Sequence, residues 1–212
     1  MYYKGEKMGE TSSNTDLHGF GPQIRSELAA RIPFDRKLRV LDVGTGFGLN
    51  VGFLTGHLSR SSKIWTVDPS SEVLDKVKSD LGRKAASTVE FVKASADRLD
   101  FENGFFDFAV SVMVMHHIDS IEPVLEELVR VVKGGGGLFI VDFYPKAART
   151  LEFQTRHKER DFFEPATIKK QLTKAATDVK TVDFGLWYLV EATKPSRREM
   201  SPKSASRRPG PS

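Results

Sequence analysis

Apolar residues in this chain come either in short dense runs or at helical spacing. Runs rich in β-branched and aromatic residues occupy residues 38–43, 64–68, 89–93, 106–112 and 138–143. Each has strand length, and none alternates cleanly with polar residues, which predicts strands buried on both faces. Helical spacing fills the gaps. Ser70 and Ser71 can cap a helix with Val73, Leu74, Val77 and Leu81 on one face, stopped by Gly82. The clearest helix follows Asp119 and Ser120, with Ile121, Val124, Leu125, Leu128, Val129 and Val132 along one stripe. Pro123 fits its first turn, where a missing N–H breaks no helical bond. The glycines at 134–137 then end it.

This β–α alternation predicts a mainly parallel sheet with helices on both faces. The last part breaks the rhythm. After a helix over residues 165–176, strand-like runs at 179–184 and 187–193 are separated only by Gly185-Leu186. So short a connection joins antiparallel neighbours and never parallel ones, so one antiparallel strand is expected near a sheet edge.

Candidate chemistry centres on Val40-Leu41-Asp42-Val43-Gly44-Thr45-Gly46-Phe47-Gly48, where the first strand hands over to a helix at residues 50–58. Glycines there let the backbone turn tightly and approach a ligand with no Cβ between. The helix N-terminus behind them offers unpaired N–H groups to an anion. The same turn also occurs with no ligand. A dinucleotide site wants a third small residue one place later, where this chain has Leu49. The spacing therefore suits a ligand with an amine and a carboxylate better than a diphosphate. Asp68 ends the second strand, 24 residues after Gly44. It can accept from both hydroxyls of a ribose, or simply cap the helix that follows.

Composition narrows the class. The chain has 212 residues, 39% hydrophobic and 28% charged, an ordinary globular composition for one domain. It has no cysteine, which excludes disulfides, Cys-ligated metals and thiol nucleophiles. The net charge of +4 resides wholly in residues 195–212, leaving 27 basic and 27 acidic residues before them. Nucleic acid is therefore not an expected partner of the domain. No apolar run approaches the roughly 20 residues of a membrane span, and the N-terminus has no signal-peptide core. The expectation is a domain over residues 19–194 in the cytoplasm. A polar segment or lid precedes it at 1–18, and a flexible basic tail follows at 195–212.

Taken together, these residues resemble the class I S-adenosylmethionine-dependent methyltransferases, especially their small-molecule branch. The likeness runs from about Leu38 to Asp142 and more weakly to Lys194. The glycine loop is similar to that family's nucleotide-loop motif, and Val67-Asp68-Pro69-Ser70 to its ribose segment. Residues 94–101 resemble its adenine-flanking motif. Phe106 to Ser111, running into Met115-His116-His117-Ile118, resemble its fourth-strand motif. Val131 to Gly136 stand for the turn before its fifth strand. The resemblance implies a Rossmann-like, doubly wound, seven-stranded sheet in the order 3-2-1-4-5-7-6, with the last strand antiparallel. It implies S-adenosylmethionine as cofactor and S-adenosylhomocysteine as product. Asp42, Gly44, Thr45, Gly46 and Gly48 would hold the methionine end, and Asp68 with Pro69 the ribose. Ser95 and Ala96 would flank the adenine, and a carbonyl near Ser111 or Val112 would take the amine. Two departures stand out. Ser95 replaces the usual acid, whose contact to the adenine amino group is then lost or passes to Asp97. Gly135 replaces a common proline.

The implied reaction is an in-line displacement onto a small-molecule acceptor, with no metal and no covalent intermediate. A general base is needed only if the nucleophile still carries its proton. His116 and Tyr144 are the candidates, each with a structural alternative. The acceptor walls are expected at residues 17–22 and 144–164, where Arg149, Arg156, His157, Lys158 and Arg160 interleave with Phe153, Phe162 and Phe163. Two rivals remain, a protein side-chain methyltransferase and a non-catalytic binder of the same cofactor. A nicotinamide oxidoreductase is disfavoured by Leu49 and the late hairpin.

Overall fold

The computed structural model describes residues 19–150 and 161–196. A helix, α1 (Gly21–Ala29), precedes β1 (Arg39–Val43), α2 (Leu49–His57), β2 (Lys63–Asp68), α3 (Ser71–Ala86) and β3 (Val89–Lys93). Then come β4 (Phe106–Val112), a 3-10 turn at Met115–His117, α4 (Ile121–Val131), β5 (Val132–Phe143), α5 (Ala147–Thr150), α6 (Pro165–Leu172), β6 (Thr177–Asp183) and β7 (Trp187–Thr193). The seven strands form one sheet in the order β3-β2-β1-β4-β5-β7-β6, as the resemblance implied. All neighbours pair parallel except β7, which runs antiparallel to β5 and β6.

Side chains along a strand alternate between faces, so the central strands feed two cores. Leu41, Val43, Ala109, Ile140 and Val190 bury one face with α4 and α6. Val40, Ile64, Val110, Val141 and Leu189 bury the other, with Ile24 and Leu28 of α1 and Val51 and Leu54 of α2. Burial on both faces explains why β1 beyond Arg39, β4, and β5 beyond Gly136 are buried at every position and show no in–out alternation. It fails at the margins. β3 and β6 keep exposed positions because each has a neighbour on one side only.

The expected stripe of α4 is buried, and each leucine so removed from water contributes about 2 kcal/mol. The end of α4 is satisfied from far along the chain: Lys194 Nζ donates to the carbonyls of Arg130 at 3.0 Å and Val132 at 2.7 Å. Gly82 interrupts α3 with a non-helical backbone, as its expected stop implied. The helix expected over residues 165–176 ends at Leu172, and the following turn already belongs to the approach to β6. The glycines at 134–137 are not a free turn before β5. They form a bulged start to the strand, because Phe106 pairs with Val132 while Phe108 pairs with Gly137. A Cβ at Gly136 would lie 2.6 Å from the Asp107 carbonyl oxygen, so only glycine lets this bulge close on β4.

Candidate cofactor and acceptor site

The turn from β1 into α2 takes a left-handed backbone at every glycine: φ is +81° at Gly44, +48° at Gly46 and +76° at Gly48. Gly44 N–H donates to the Val67 carbonyl at 2.9 Å, binding the loop to β2. A Cβ at Gly44 would meet Val114 Cγ2 at 2.3 Å, so the loop and the segment after β4 approach too closely for any other residue. The cleft at this meeting point is lined by Val43, Gly44, Val67, Asp68, Pro69, Ala94, Ala96 and Val114. It lies at the carboxyl ends of β1 and β2, next to the strand-order reversal between β1 and β4, where ligands of open α/β sheets bind.

Asp68 is buried at the wall of this cleft. Its Oδ1 accepts from Ser70 N–H at 2.9 Å and its Oδ2 from Gly46 N–H at 3.4 Å. The carboxylate thus secures the start of the next helix, one of the two roles open to it in sequence, and reaches across to the glycine loop. Burial raises its pKa against those hydrogen bonds. Asp42 lies deeper, beneath the loop and fully buried. Its Oδ2 accepts from the Thr66 hydroxyl at 2.8 Å, and Thr66 shares a 2.7 Å hydroxyl contact with Thr45. Asp42 Oδ1 has no hydrogen-bond partner. Burial pushes its pKa up to about 7, opposed by the Thr66 and Asn50 side chains and reinforced by the charge of Asp68.

Among the residues expected to hold the cofactor, Gly44, Asp68, Pro69 and Ala96 form the cleft wall itself. Gly46 and Gly48 shape the loop, while Asp42 and Thr45 support it from below. The Ser95 hydroxyl is turned to the Asp97 carboxylate, so those two residues act as a pair. Ser111 and Val112 end β4 in full burial, and the Ser111 hydroxyl has no partner. Val114 and Thr66 escaped the sequence reading, since neither residue type signals chemistry and both act through proximity alone.

The two base candidates separate. His116 is 9% exposed, and its Nδ1 donates to Asp142 Oδ1 at 2.7 Å. Its backbone N–H donates to Asp142 Oδ2 at 3.1 Å. Asp142 thereby holds both the ring and the turn that carries it. The ring also stacks against Phe162, centroids 4.8 Å apart. Asp142 was not singled out from sequence, although an acid inside the apolar run before Phe143 was a usable signal. Tyr144 is drawn instead toward the β6–β7 hairpin: its N–H donates to the Leu186 carbonyl at 3.0 Å, and its ring meets Tyr188 edge-on at 5.1 Å. Burial and the Asp183 carboxylate raise its phenol pKa. Among the described residues no cluster of His, Asp and Glu could hold a metal ion, and no helix is long and apolar enough to cross a membrane. The segment expected at residues 1–18 and the tail beyond Ser196 lie outside the described residues, as do Phe153, Arg156, His157, Lys158 and Arg160.

Comparison with known proteins bears on this geometry. Residues 41–140 match the family described as "Methyltransferase domain". The ubiquinone/menaquinone biosynthesis C-methyltransferase UbiE of Azotobacter vinelandii is 33% identical over 111 residues, which cover 50% of this chain and 42% of that protein. The chain therefore matches less than half the length of this curated relative. Among solved structures, a SAM-dependent methyltransferase from Aquifex aeolicus superposes with a TM-score of 0.69 at 20% identity, covering 80% of this chain and 89% of that one. The N-methyltransferase NodS from Bradyrhizobium japonicum WM9 gives 0.69 at 16% identity, covering 85% and 99%. The chain has the class I S-adenosylmethionine-dependent methyltransferase fold, and its residues 41–140 form a domain like those of the matched methyltransferase family.

Proposed function

We propose that this protein is an S-adenosylmethionine-dependent methyltransferase acting on a small-molecule acceptor by in-line displacement. The observation that carries the reading is the closure of the left-handed glycine loop against Asp68 and Val114 at the carboxyl ends of β1 and β2. A backbone cradle without Cβ atoms suits the methionine end of the cofactor, and the adjacent buried carboxylate suits ribose hydroxyls. Ala94 and Ala96 supply a flat apolar wall for the adenine. When bound, the cofactor supplies an electrophilic methyl group on a sulfonium.

The chain's own task is to orient the acceptor, exclude water and, for a hydroxyl or carbon acid, remove a proton. His116 fits the last role. With Nδ1–H donated to the Asp142 carboxylate, the neutral ring carries its lone pair on Nε2, the form a base requires. Tyr144, fastened to the hairpin, serves better as a wall of the acceptor site than as the base. The similar proteins include both a C- and an N-methyltransferase, so acceptors with carbon and nitrogen nucleophiles both belong in the first screen.

Calorimetric titration with S-adenosylhomocysteine, run beside NADH, tests the cofactor assignment. Micromolar binding of the first alone is expected; binding of NADH instead, or of neither, removes it.

A further inference from the structure

A second concavity opens at the other end of the sheet, near the amino ends of β4 and β5. Its volume is about 250 Å³, and its polar walls are Arg31, Asp178, Lys180 and Glu191. Its floor is the Phe108–Phe139 pair, stacked at 5.8 Å and 13°. Gly137 keeps that floor open, because a Cβ there would lie 2.8 Å from Phe108. Two irregularities in the sheet frame the cleft. One is the glycine bulge that begins β5. The other is a register shift in β6 between Thr177 and Lys180, where Asp178 takes a left-handed φ of +51°. Bulges and left-handed non-glycine residues concentrate at functional sites, where they aim side chains that a regular strand would not. The other such residue among those described, Met113, immediately precedes Val114 of the cofactor cleft.

The charges in this cleft are only partly spent on one another. Arg31 Nε donates to Glu191 Oε2 at 2.7 Å and its Nη1 to Glu27 Oε2 at 2.6 Å, leaving Nη2 and Glu191 Oε1 with no partner among the described residues. Lys180 stands directly across from Glu191 in the β6–β7 ladder and, among the described residues, makes no ion pair, and neither does Asp178. Two cations thus face two carboxylates, with unused donors and acceptors on both sides. A neutral apolar guest would desolvate both signs without replacing their hydrogen bonds. A simple anion would leave Asp178 and Glu191 unanswered, and a simple cation would leave Arg31 and Lys180 so.

We propose that this cleft is a second binding site, separate from the cofactor cleft, for a small zwitterion: a free α-amino acid with an apolar or aromatic side chain. Its carboxylate meets Arg31 Nη2 and Lys180, its ammonium meets Asp178 and Glu191 Oε1, and its side chain lies over Phe108 and Phe139. The volume suits one amino acid.

The test is calorimetry on the full chain with the cofactor cleft saturated by S-adenosylhomocysteine, so that an amino acid cannot enter at the methionine end. The probes are L-phenylalanine, N-acetyl-L-phenylalanine, which lacks the ammonium, and L-phenylalanine amide, which lacks the carboxylate. L-phenylalanine is expected to bind, with each derivative weaker by about tenfold or more, the scale of a lost charge-assisted hydrogen bond. Asp178→Ala and Lys180→Ala are exposed changes that should each weaken L-phenylalanine by about five- to tenfold at unaltered S-adenosylhomocysteine affinity. The proposal is overturned if millimolar L-phenylalanine does not bind, if the derivatives bind equally well, or if both substitutions leave its affinity unchanged. Should S-adenosylhomocysteine itself fail to bind, the cofactor assignment falls. The same titrations without it still decide the second cleft.

Discussion

Asp42 and Asp68 lie on neighbouring strands and do different work. Both carboxylates are buried, yet Asp68 keeps two backbone N–H donors while Asp42 keeps one hydroxyl and one orphan oxygen. The difference decides how each responds to change. Asp68→Ala removes the carboxylate at the cleft wall and leaves Ser70 N–H without its acceptor; S-adenosylhomocysteine affinity is expected to fall about tenfold or more, measured by calorimetry. At Asp42 the informative variable is pH. Its carboxyl titrates near 7 in the folded protein, against an ordinary 3.8, so the folded state binds the extra proton. The stabilisation from the neutral form is complete below pH 3.8 and is lost as pH rises to about 7. Asp42→Asn keeps the shape and cannot ionise. Denaturant unfolding at pH 5 and pH 8 should therefore show the native protein losing stability relative to the Asn variant, by up to about 2–3 kcal/mol. Equal losses in both proteins would place the titration elsewhere.

At the scale of elements, the junction of β1 and α2 is where local conformation and long-range packing coincide. Its glycines were legible because Gly-x-Gly-x-Gly after an apolar run has a backbone reason to exist. The distance from Gly44 to Val114 was not legible, because it depends on how β4 lies beside β1, 70 residues away in the chain. Gly44→Ala combines a left-handed backbone with a severe overlap and should cost about 2–4 kcal/mol. Thermal unfolding reads that cost, and the same variant should no longer bind S-adenosylhomocysteine. Helix α4 was legible almost to the residue, since an unbroken stripe at i, i+3 and i+4 has one sensible reading. The glycines at the start of β5 read in sequence as a turn and are in fact a bulge. Glycine runs carry no side-chain periodicity, and pairing with both β4 and the end of β7 is a property of the assembled sheet.

Across the whole molecule, one interaction joins the parts that would have to act together. Asp142, near the end of β5, reaches 26 residues back to hold the ring and backbone of His116 after β4. Asp142→Asn offers an amide in place of the second acceptor oxygen and disturbs the ring's tautomer. It should cost about 1–3 kcal/mol of stability, leave S-adenosylhomocysteine binding within about twofold, and lower methyl transfer to a hydroxyl or carbon acceptor. Transfer to an acceptor that arrives as a free amine should change little, so comparing the two acceptor classes separates a base from a structural pair. From the sequence alone follow the elements, the parallel sheet with one antiparallel strand, and the place of the glycine loop. These rest on periodicity, glycine backbone freedom and connection length, all of them local. The family resemblance added the strand order, with β3 and β6 at the margins. Only the tertiary structure decided that Asp42 lies beneath the loop while Asp68 lines it, that Asp142 holds His116, and that a charged cleft opens at the far end. Each of these depends on which residues from distant strands share a face, and that is set by register and packing across the sheet.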